Sequence, residues 1–238
     1  MPIDRFYLDD PLEPSTQTEL TGQELHHLSH VTRARVGNEI QLVNGKGSLA
    51  IAEILEINKN TAFLNIQSRL SKDPVPFRSV IAQAIPRQNR LDMIVEKSTE
   101  LGMDELWLFP GKLSEKKELK ENQLFRLRKI AISAMKQSGR LFLPEIKLIP
   151  PIRQWQSQPL PVYFGDIDAD AEPFLKVWEA SPDEEGLIFV IGPESGLHED
   201  EIQQLKELHA IGVKLHQHIL RTDTAPLAAL SLISHAKL

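Results

Sequence analysis

Two short segments near the C-terminal end carry the residue types that chemistry on a bound ligand requires. The first, Gly192-Pro193-Glu194-Ser195-Gly196, follows the apolar run Leu187-Ile188-Phe189-Val190-Ile191. Its glycines let backbone amides approach an anion or a polar ligand edge at a helix start. No lysine follows the second glycine and no G-x-G-x-x-G fingerprint is present, so it is neither a P-loop nor a dinucleotide loop. Taken alone it reads equally well as a plain turn. The second segment, Leu220-Arg221-Thr222-Asp223-Thr224-Ala225-Pro226, puts a cation, an acid and two hydroxyls at the end of a strand and just before a helix. Open α/β sheets bind ligands outside the carboxyl ends of their strands, so two such loops on nearby strands point to a shared pocket.

Other groups carry less. His26 and His30 have the i, i+4 spacing of metal ligands, but no third ligand is evident and cysteine is absent, so no metal site is expected. A surface helix presenting His27, Arg33 and Arg35 to RNA is the better functional reading. Glu96 and Glu100 share a helix face and read more readily as ion-paired or solvated than as an acid–base pair. Arg140, just past Gln137-Ser138-Gly139, is either a cap partner or a phosphate contact.

The elements that must position these residues can be read from periodicity. Apolar runs predict strands over 187–191 and 212–215, with a helix over 199–208 between them. The last helix starts near Thr224, whose hydroxyl is placed to cap it, with Pro226 in the first turn. Upstream, strands over 79–85, 105–109 and 161–165 alternate with helices over 90–101, 123–137 and 173–179, which implies an α/β domain on a mainly parallel sheet. The N-terminal part differs. It has a strand over 4–8 and a Pro-rich loop, then a short helix opened by Thr21-Gly22-Gln23-Glu24 with capping-box spacing. Strands over 39–43 and 48–57 flank the hairpin signal Asn44-Gly45-Lys46-Gly47, and a further strand covers 61–66. Two prolines mark 71–76 as a linker, so the expected division is a β domain over 1–72 and an α/β domain over 73–238.

Composition sets the bounds. The chain has 238 residues, no cysteine and a net charge of −6. It lacks the basic-then-apolar start of a signal peptide and any apolar run near the ~18 residues of a membrane span, so a soluble cytoplasmic protein is expected. Charge is uneven. Residues 112–153 hold eleven basic groups against four acids, whereas 154–212 hold thirteen acids against two lysines. Such a molecule attracts phosphate on one face while staying acidic in sum, although on charge alone a solvated helix face is the plainer reading.

Four stretches together resemble one family, the RsmE-type 16S rRNA uridine-N3 methyltransferases of the SPOUT superfamily. They are His26-His27-Leu28 with Val31, Arg33, Gly37, Glu39 and Ile40; Lys97-Ser98-Thr99-Glu100-Leu101-Gly102; Lys136-Gln137-Ser138-Gly139-Arg140 with Pro144-Glu145; and Ile191-Gly192-Pro193-Glu194 with Gly196, then Ile219 to Ala225. Their order and spacing match across nearly the whole chain. The resemblance implies a PUA-like N-terminal β-barrel that helps hold RNA and a C-terminal SPOUT α/β trefoil-knot domain. It also implies a homodimer, S-adenosylmethionine as cofactor, and methylation at N3 of uridine 1498 in the 16S rRNA of the small ribosomal subunit.

Residue by residue, the resemblance assigns the cofactor to Ile191, Gly192, Pro193, Glu194, Gly196, Leu215, Leu220, Thr222, Thr224 and Ala225. It gives catalysis to Arg221 and Glu194, and RNA contact to His27, Arg33, Arg35, Lys136 and Arg140. The chain departs from the family pattern at Ser195 (usually Gly), at Asp223 (usually Glu), and at Leu215-His216-Gln217-His218, where Leu-Gly-x-Arg is usual. A side chain at 216 is expected to narrow the cofactor wall, and His218 removes a fixed positive charge. Two rival readings are a related enzyme with another RNA target and an RNA-binding assembly factor without catalysis.

Overall fold

A computed structural model describes residues 4–168, 170–180 and 184–237. The chain divides into two compact units, one of residues 1–74 with 135–143 and one of residues 75–134 with 144–238.

The first unit is built on a curled five-stranded sheet. Its strands are β1 (Arg5–Tyr7), β2 (Gln17–Leu20), β3 (Glu39–Val43), β4 (Ser48–Ile57) and β5 (Ala62–Ser71), in the order β1-β3-β4-β5-β2. Only the β1–β3 pair is parallel. Period-two alternation buries Ala50, Ala52 and Ile54 on one face of β4, where they join Phe6, Leu28, Leu42, Leu64 and Ile66 in a core. The expected hairpin forms at 44–47, with the Asn44 Oδ1 accepting from the amides of Lys46 and Ser48. Gly47 is required there: its φ is +93° and a Cβ would lie 2.4 Å from the Lys72 carbonyl oxygen.

Two features of this unit differ from expectation. Strand β2 lies where no strand was predicted, because its Gln-Thr-Glu-Leu sequence is an exposed edge with one buried residue. The helix α1 (Gly22–His26) starts after Thr21 without a side-chain cap. Glu24 does not close a capping box; it accepts from the Tyr7 amide at 3.0 Å and pairs with Lys136 at 2.6 Å. The helix then widens into a π-helical turn over His27–Val31.

The second unit is a seven-stranded sheet, parallel throughout. It comprises β6 (Arg78–Ala84), β7 (Glu105–Phe109), β8 (Glu145–Leu148), β9 (Val162–Gly165), β10 (Glu172–Pro173), β11 (Gly186–Ile191) and β12 (Ile211–Lys214), in the order β10-β12-β9-β11-β6-β7-β8. The helices α2 (Gln88–Glu100), α3 (Glu121–Ser138), α4 (Phe174–Ala180), α5 (Glu199–Glu207) and α6 (Ala225–His235) alternate with them. The central strands β6 and β11 are almost wholly buried, which is why β11 reads as a continuous apolar run and β6 as an apolar run interrupted by Gln83. The edge strands β8 and β10 are mostly polar and escaped the periodicity reading. Strand β12 ends at Lys214, so Arg221–Thr224 do not sit at a strand end; residues 215–224 form a loop before α6. Thr224 occupies the α6 N-cap, but its hydroxyl makes no cap hydrogen bond. Among the described residues no helix is long and apolar enough to cross a membrane.

Glu105 ties the amino ends of β6, β7 and β8 together. Burial alone would raise its pKa, but hydrogen bonds from Lys147, Trp107 and Arg78 outweigh burial and hold it at about 2, against an ordinary 4.5. Because the folded value is depressed, the ionised carboxylate contributes stability above pH 4.5 that is lost as pH falls toward 2. Glu105→Gln is expected to cost on the order of 2–3 kcal/mol at neutral pH and to flatten the acid limb of stability over that window. Urea unfolding of both proteins across that pH range checks this.

Candidate active site

The order of the second sheet sets β12, β9 and β11 side by side. The chain leaving their carboxyl ends, over 165–167, 191–197 and 213–222, borders a cleft of about 360 Å³. That volume lies within the ~300–1,000 Å³ usual for small-molecule sites. Nine of the ten cofactor candidates border it: Ile191, Gly192, Pro193, Glu194, Gly196, Leu215, Leu220, Thr222 and Ala225. The exception is Thr224, which stands behind the wall with its amide donating to the Arg221 carbonyl at 2.9 Å. Arg221 is also in the wall and exposed, with no side-chain hydrogen bond or ion pair among the described residues.

The first loop is folded as tightly as its glycines permit. A Cβ at Gly192 would lie 2.7 Å from the Leu197 nitrogen and 2.8 Å from the Gly196 carbonyl carbon, and Gly196 itself has φ +78°. Ser195 needs no left-handed backbone, so its departure from the family glycine brings no strain. The same holds at His216, whose Nδ1 accepts from the His218 amide at 3.1 Å and whose ring sits 5.3 Å from that of His218.

Gln83, missed in the sequence, joins the two loops. It is a fully buried residue of β6, paired in register with Ile191. Its Nε2 donates to the Thr222 Oγ1 at 2.9 Å, with the Gly192 carbonyl at 3.1 Å and the Ala84 carbonyl at 3.0 Å. The Thr222 hydroxyl in turn donates to the Gly192 carbonyl at 2.7 Å. The signal available was one amide in an otherwise apolar strand. Arg90, also missed, makes a second tie: its Nη1 lies 2.6 Å from Asp223 Oδ1 and its Nε 3.3 Å from Glu194 Oε1. The same Glu194 oxygen accepts from the Arg87 amide at 3.1 Å, just before α2. The α5 start is fixed by a capping box between His198 and Glu201, and Glu201 also accepts from the Lys112 amide at 2.9 Å.

All five RNA candidates lie in the first unit. Arg33, with φ +53°, and Arg35 are exposed on the segment after the π-helical turn. His27 is half-buried with its ring 5.4 Å from Phe6, and Lys136 is an 85%-shielded ion-pair partner of Glu24, its side chain 15% exposed. Arg140 is half-buried. The other weak candidates resolve simply. His26 and His30 stack at 4.4 Å, and no group of three His, Asp or Glu residues suited to a metal exists among the described residues. Glu96 and Glu100 share the Lys97 ammonium, whose pKa their hydrogen bonds raise, so that face is ion-paired.

The second unit's parallel α/β sheet with a cleft at its C-terminal loops, and the first unit's curled β sheet, are those of the SPOUT α/β-knot class with a PUA-like domain. The comparisons agree. A family model for an RNA methyltransferase domain matches residues 73–234, and one for an RNA methyltransferase PUA domain matches residues 20–67. Ribosomal RNA small subunit methyltransferase E of Bacillus subtilis is 28% identical, covering 98% of this chain and 96% of that protein. The solved Neisseria gonorrhoeae protein of the same name, bound to S-adenosylmethionine, is 29% identical with a TM-score of 0.85 over 98% of each chain. A Legionella pneumophila protein solved in complex with the bound cofactor SAM is 26% identical, with a TM-score of 0.88 over 99% of this chain and 98% of that one. The chain belongs to the RNA methyltransferase family, and the relatives it resembles include those named ribosomal RNA small subunit methyltransferase E.

The Gln83–Thr222–Gly192 contacts generate a stability prediction. Thr222→Val is expected to cost about 1–3 kcal/mol, because it removes a buried hydroxyl that accepts from the Gln83 amide and donates to the Gly192 carbonyl. Thr222→Ser should cost less than half of that, and denaturant unfolding of the three proteins measures the difference.

Proposed function

We propose that the chain transfers a methyl group from S-adenosylmethionine to N3 of a uridine, uridine 1498, in 16S rRNA. The observation that carries this reading is a cleft at the carboxyl ends of three parallel strands whose wall holds Arg221, a cation with no side-chain partner among the described residues. Support comes from relatives named as ribosomal RNA small subunit methyltransferases and from two similar structures that hold the same cofactor.

The residues present fit that cofactor. Ile191, Leu215 and Leu220 offer apolar walls for a purine face. Asp166 places a carboxylate in the wall, which suits a ligand carrying positive charge. When bound, S-adenosylmethionine supplies a methyl group already activated by its sulfonium, which leaves orientation and electrostatics to the protein. Backbone groups at Gly192, Leu215 and Leu220 would hold the ligand, with Thr222 and Ala225 closing the pocket around it. Arg221 stabilises the negative charge that spreads over the uracil oxygens when N3 gives up its proton to solvent water. Anchoring suits Glu194 better than proton acceptance, since its Oε1 already serves the Arg87 amide and Arg90.

RNA is gripped by Arg33 and Arg35 in a binding domain over 1–72, and by the basic block that includes Arg140. His27 and Lys136 act there through the fold of that unit rather than as free contacts. The methyltransferase domain spans 73–238, and the active form is a homodimer in the cytoplasm. The target base must leave any stack to reach the cleft.

Mapping of modified uridines in rRNA from a strain lacking the gene tests the assignment. Loss of one N3-methyluridine, restored by the wild-type gene, is expected; its persistence would refute the substrate. RNA binding by the purified protein without methyl transfer would favour the assembly-factor reading. Arg221→Ala is expected to lower turnover about 10²- to 10³-fold while S-adenosylmethionine affinity stays within threefold, roughly the loss seen for one preorganised charge-stabilising donor.

A further inference from the structure

Arg221 is exposed in a cleft wall that also holds Glu194, and Asp223 is two residues along the same loop. An arginine beside two carboxylates would ordinarily be drawn into an ion pair. Here both carboxylates are taken by Arg90, which meets Asp223 at 2.6 Å and Glu194 at 3.3 Å. These three side chains are well shielded, at 22% exposure for Arg90, 17% for Asp223 and 24% for Glu194, so the contacts are less screened than surface pairs. The Arg87 amide adds a third donor on the same Glu194 oxygen, while the Arg87 side chain is engaged by Glu115. Arg221 has no partner among the described residues.

We propose that Arg90 is a positioning residue: by engaging Glu194 and Asp223 together, it keeps the Arg221 guanidinium free for negative charge on the RNA substrate. The proposal rests on the methyltransferase reading for its substrate, but its electrostatic core does not. Removing Arg90 leaves the two carboxylates short of a counter-ion, and Arg221, two residues from Asp223 on the same loop, compensates them at the expense of the substrate. Removing the carboxylates along with Arg90 abolishes that competition. A clamp that merely held the two loops together would behave oppositely, since the triple change deletes every clamp contact.

The test compares wild type, Arg90→Gln, Arg90→Lys and the triple variant Arg90→Gln/Glu194→Gln/Asp223→Asn. The first readout is the ¹⁵Nε–H signal of Arg221, assigned with Arg221→Lys, whose exchange reports whether the guanidinium is paired. Arg221 is expected to exchange freely in wild type and Arg90→Lys, to become protected in Arg90→Gln, and to exchange freely again in the triple variant. The second is steady-state methylation of an rRNA fragment. Arg90→Gln is expected to lose about tenfold to a hundredfold in kcat/KM, and the triple variant to recover most of that loss. A loss confined to kcat assigns the charge to the reacting base, and a loss in KM assigns it to a phosphate.

An Arg221 signal already protected in wild type, or one unchanged in Arg90→Gln, overturns the proposal. So does a triple variant no more active than Arg90→Gln, or a Glu194→Gln variant that is inactive by itself. Should Arg90→Gln fail to fold, the double variant Glu194→Gln/Asp223→Asn must still leave Arg221 free, and protection there counts against the idea. A wild-type protein that methylates no RNA refutes the enzyme reading, whereas the signals of Arg221 still decide the role of Arg90.

Discussion

The cleft depends on one buried amide. Gln83 is fully inaccessible on the central strand β6, yet its side chain reaches the Gly192 carbonyl and the Thr222 hydroxyl, 109 and 139 positions further along the chain. Joining segments so far apart costs chain entropy, and an isolated polar contact would not repay it in water. In a dry sheet core the comparison changes, because a buried amide NH2 without acceptors is costly and the fold that supplies them is favoured, although the Gln83 Oε1 itself finds no donor among the described residues. Gly192, whose missing Cβ lets its own loop close on Gly196 and Leu197, presents its carbonyl to both the Gln83 amide and the Thr222 hydroxyl. The 215–224 segment is thereby held against the 192–196 segment, and the space between them is the cleft.

Charge organises the rim of the same two loops. Arg90, from the first turn of α2, spans Glu194 on one loop and Asp223 on the other. Glu201 and His198 fix the start of α5, and through Lys112 they fix the turn after β7 as well. Each acid near the cleft with a partner of this kind is committed, which is why an uncommitted Arg221 is informative. The acidic stretch over 154–212, conspicuous in the sequence, is therefore partly a set of anchors rather than a solvated surface.

Much of the architecture was legible because the central strands are apolar on both faces and the helices are amphipathic. Strands β6, β7 and β11 were placed within about a residue of their ends, and two loops flanking a pocket followed from their glycines and hydroxyls. The failures share one physical origin, which is that they depend on partners distant in the chain. Glu24 was read as a capping residue because Thr21 lies three residues before it, but its partner is Lys136, 112 positions away. Lys136 was read as a surface cation for the same reason. Gln83 and Arg90 were passed over because nothing local distinguishes a linking amide from a strand residue, or a loop clamp from the first turn of a helix. The short edge strands β8 and β10 lack a buried face and so leave no pattern.

The central claim is that Gln83 makes two remote loops into one cofactor-binding wall, and calorimetric titration with S-adenosylmethionine addresses it most directly. Wild type is expected to bind with saturation at one cofactor per chain, and Gln83→Met, close in volume but without the amide, to bind about tenfold or more weakly, in line with the loss of about 1–3 kcal/mol for a buried hydrogen-bonded group. A folded Gln83→Met protein that binds as tightly as wild type, or a wild type that does not bind at all, would contradict it.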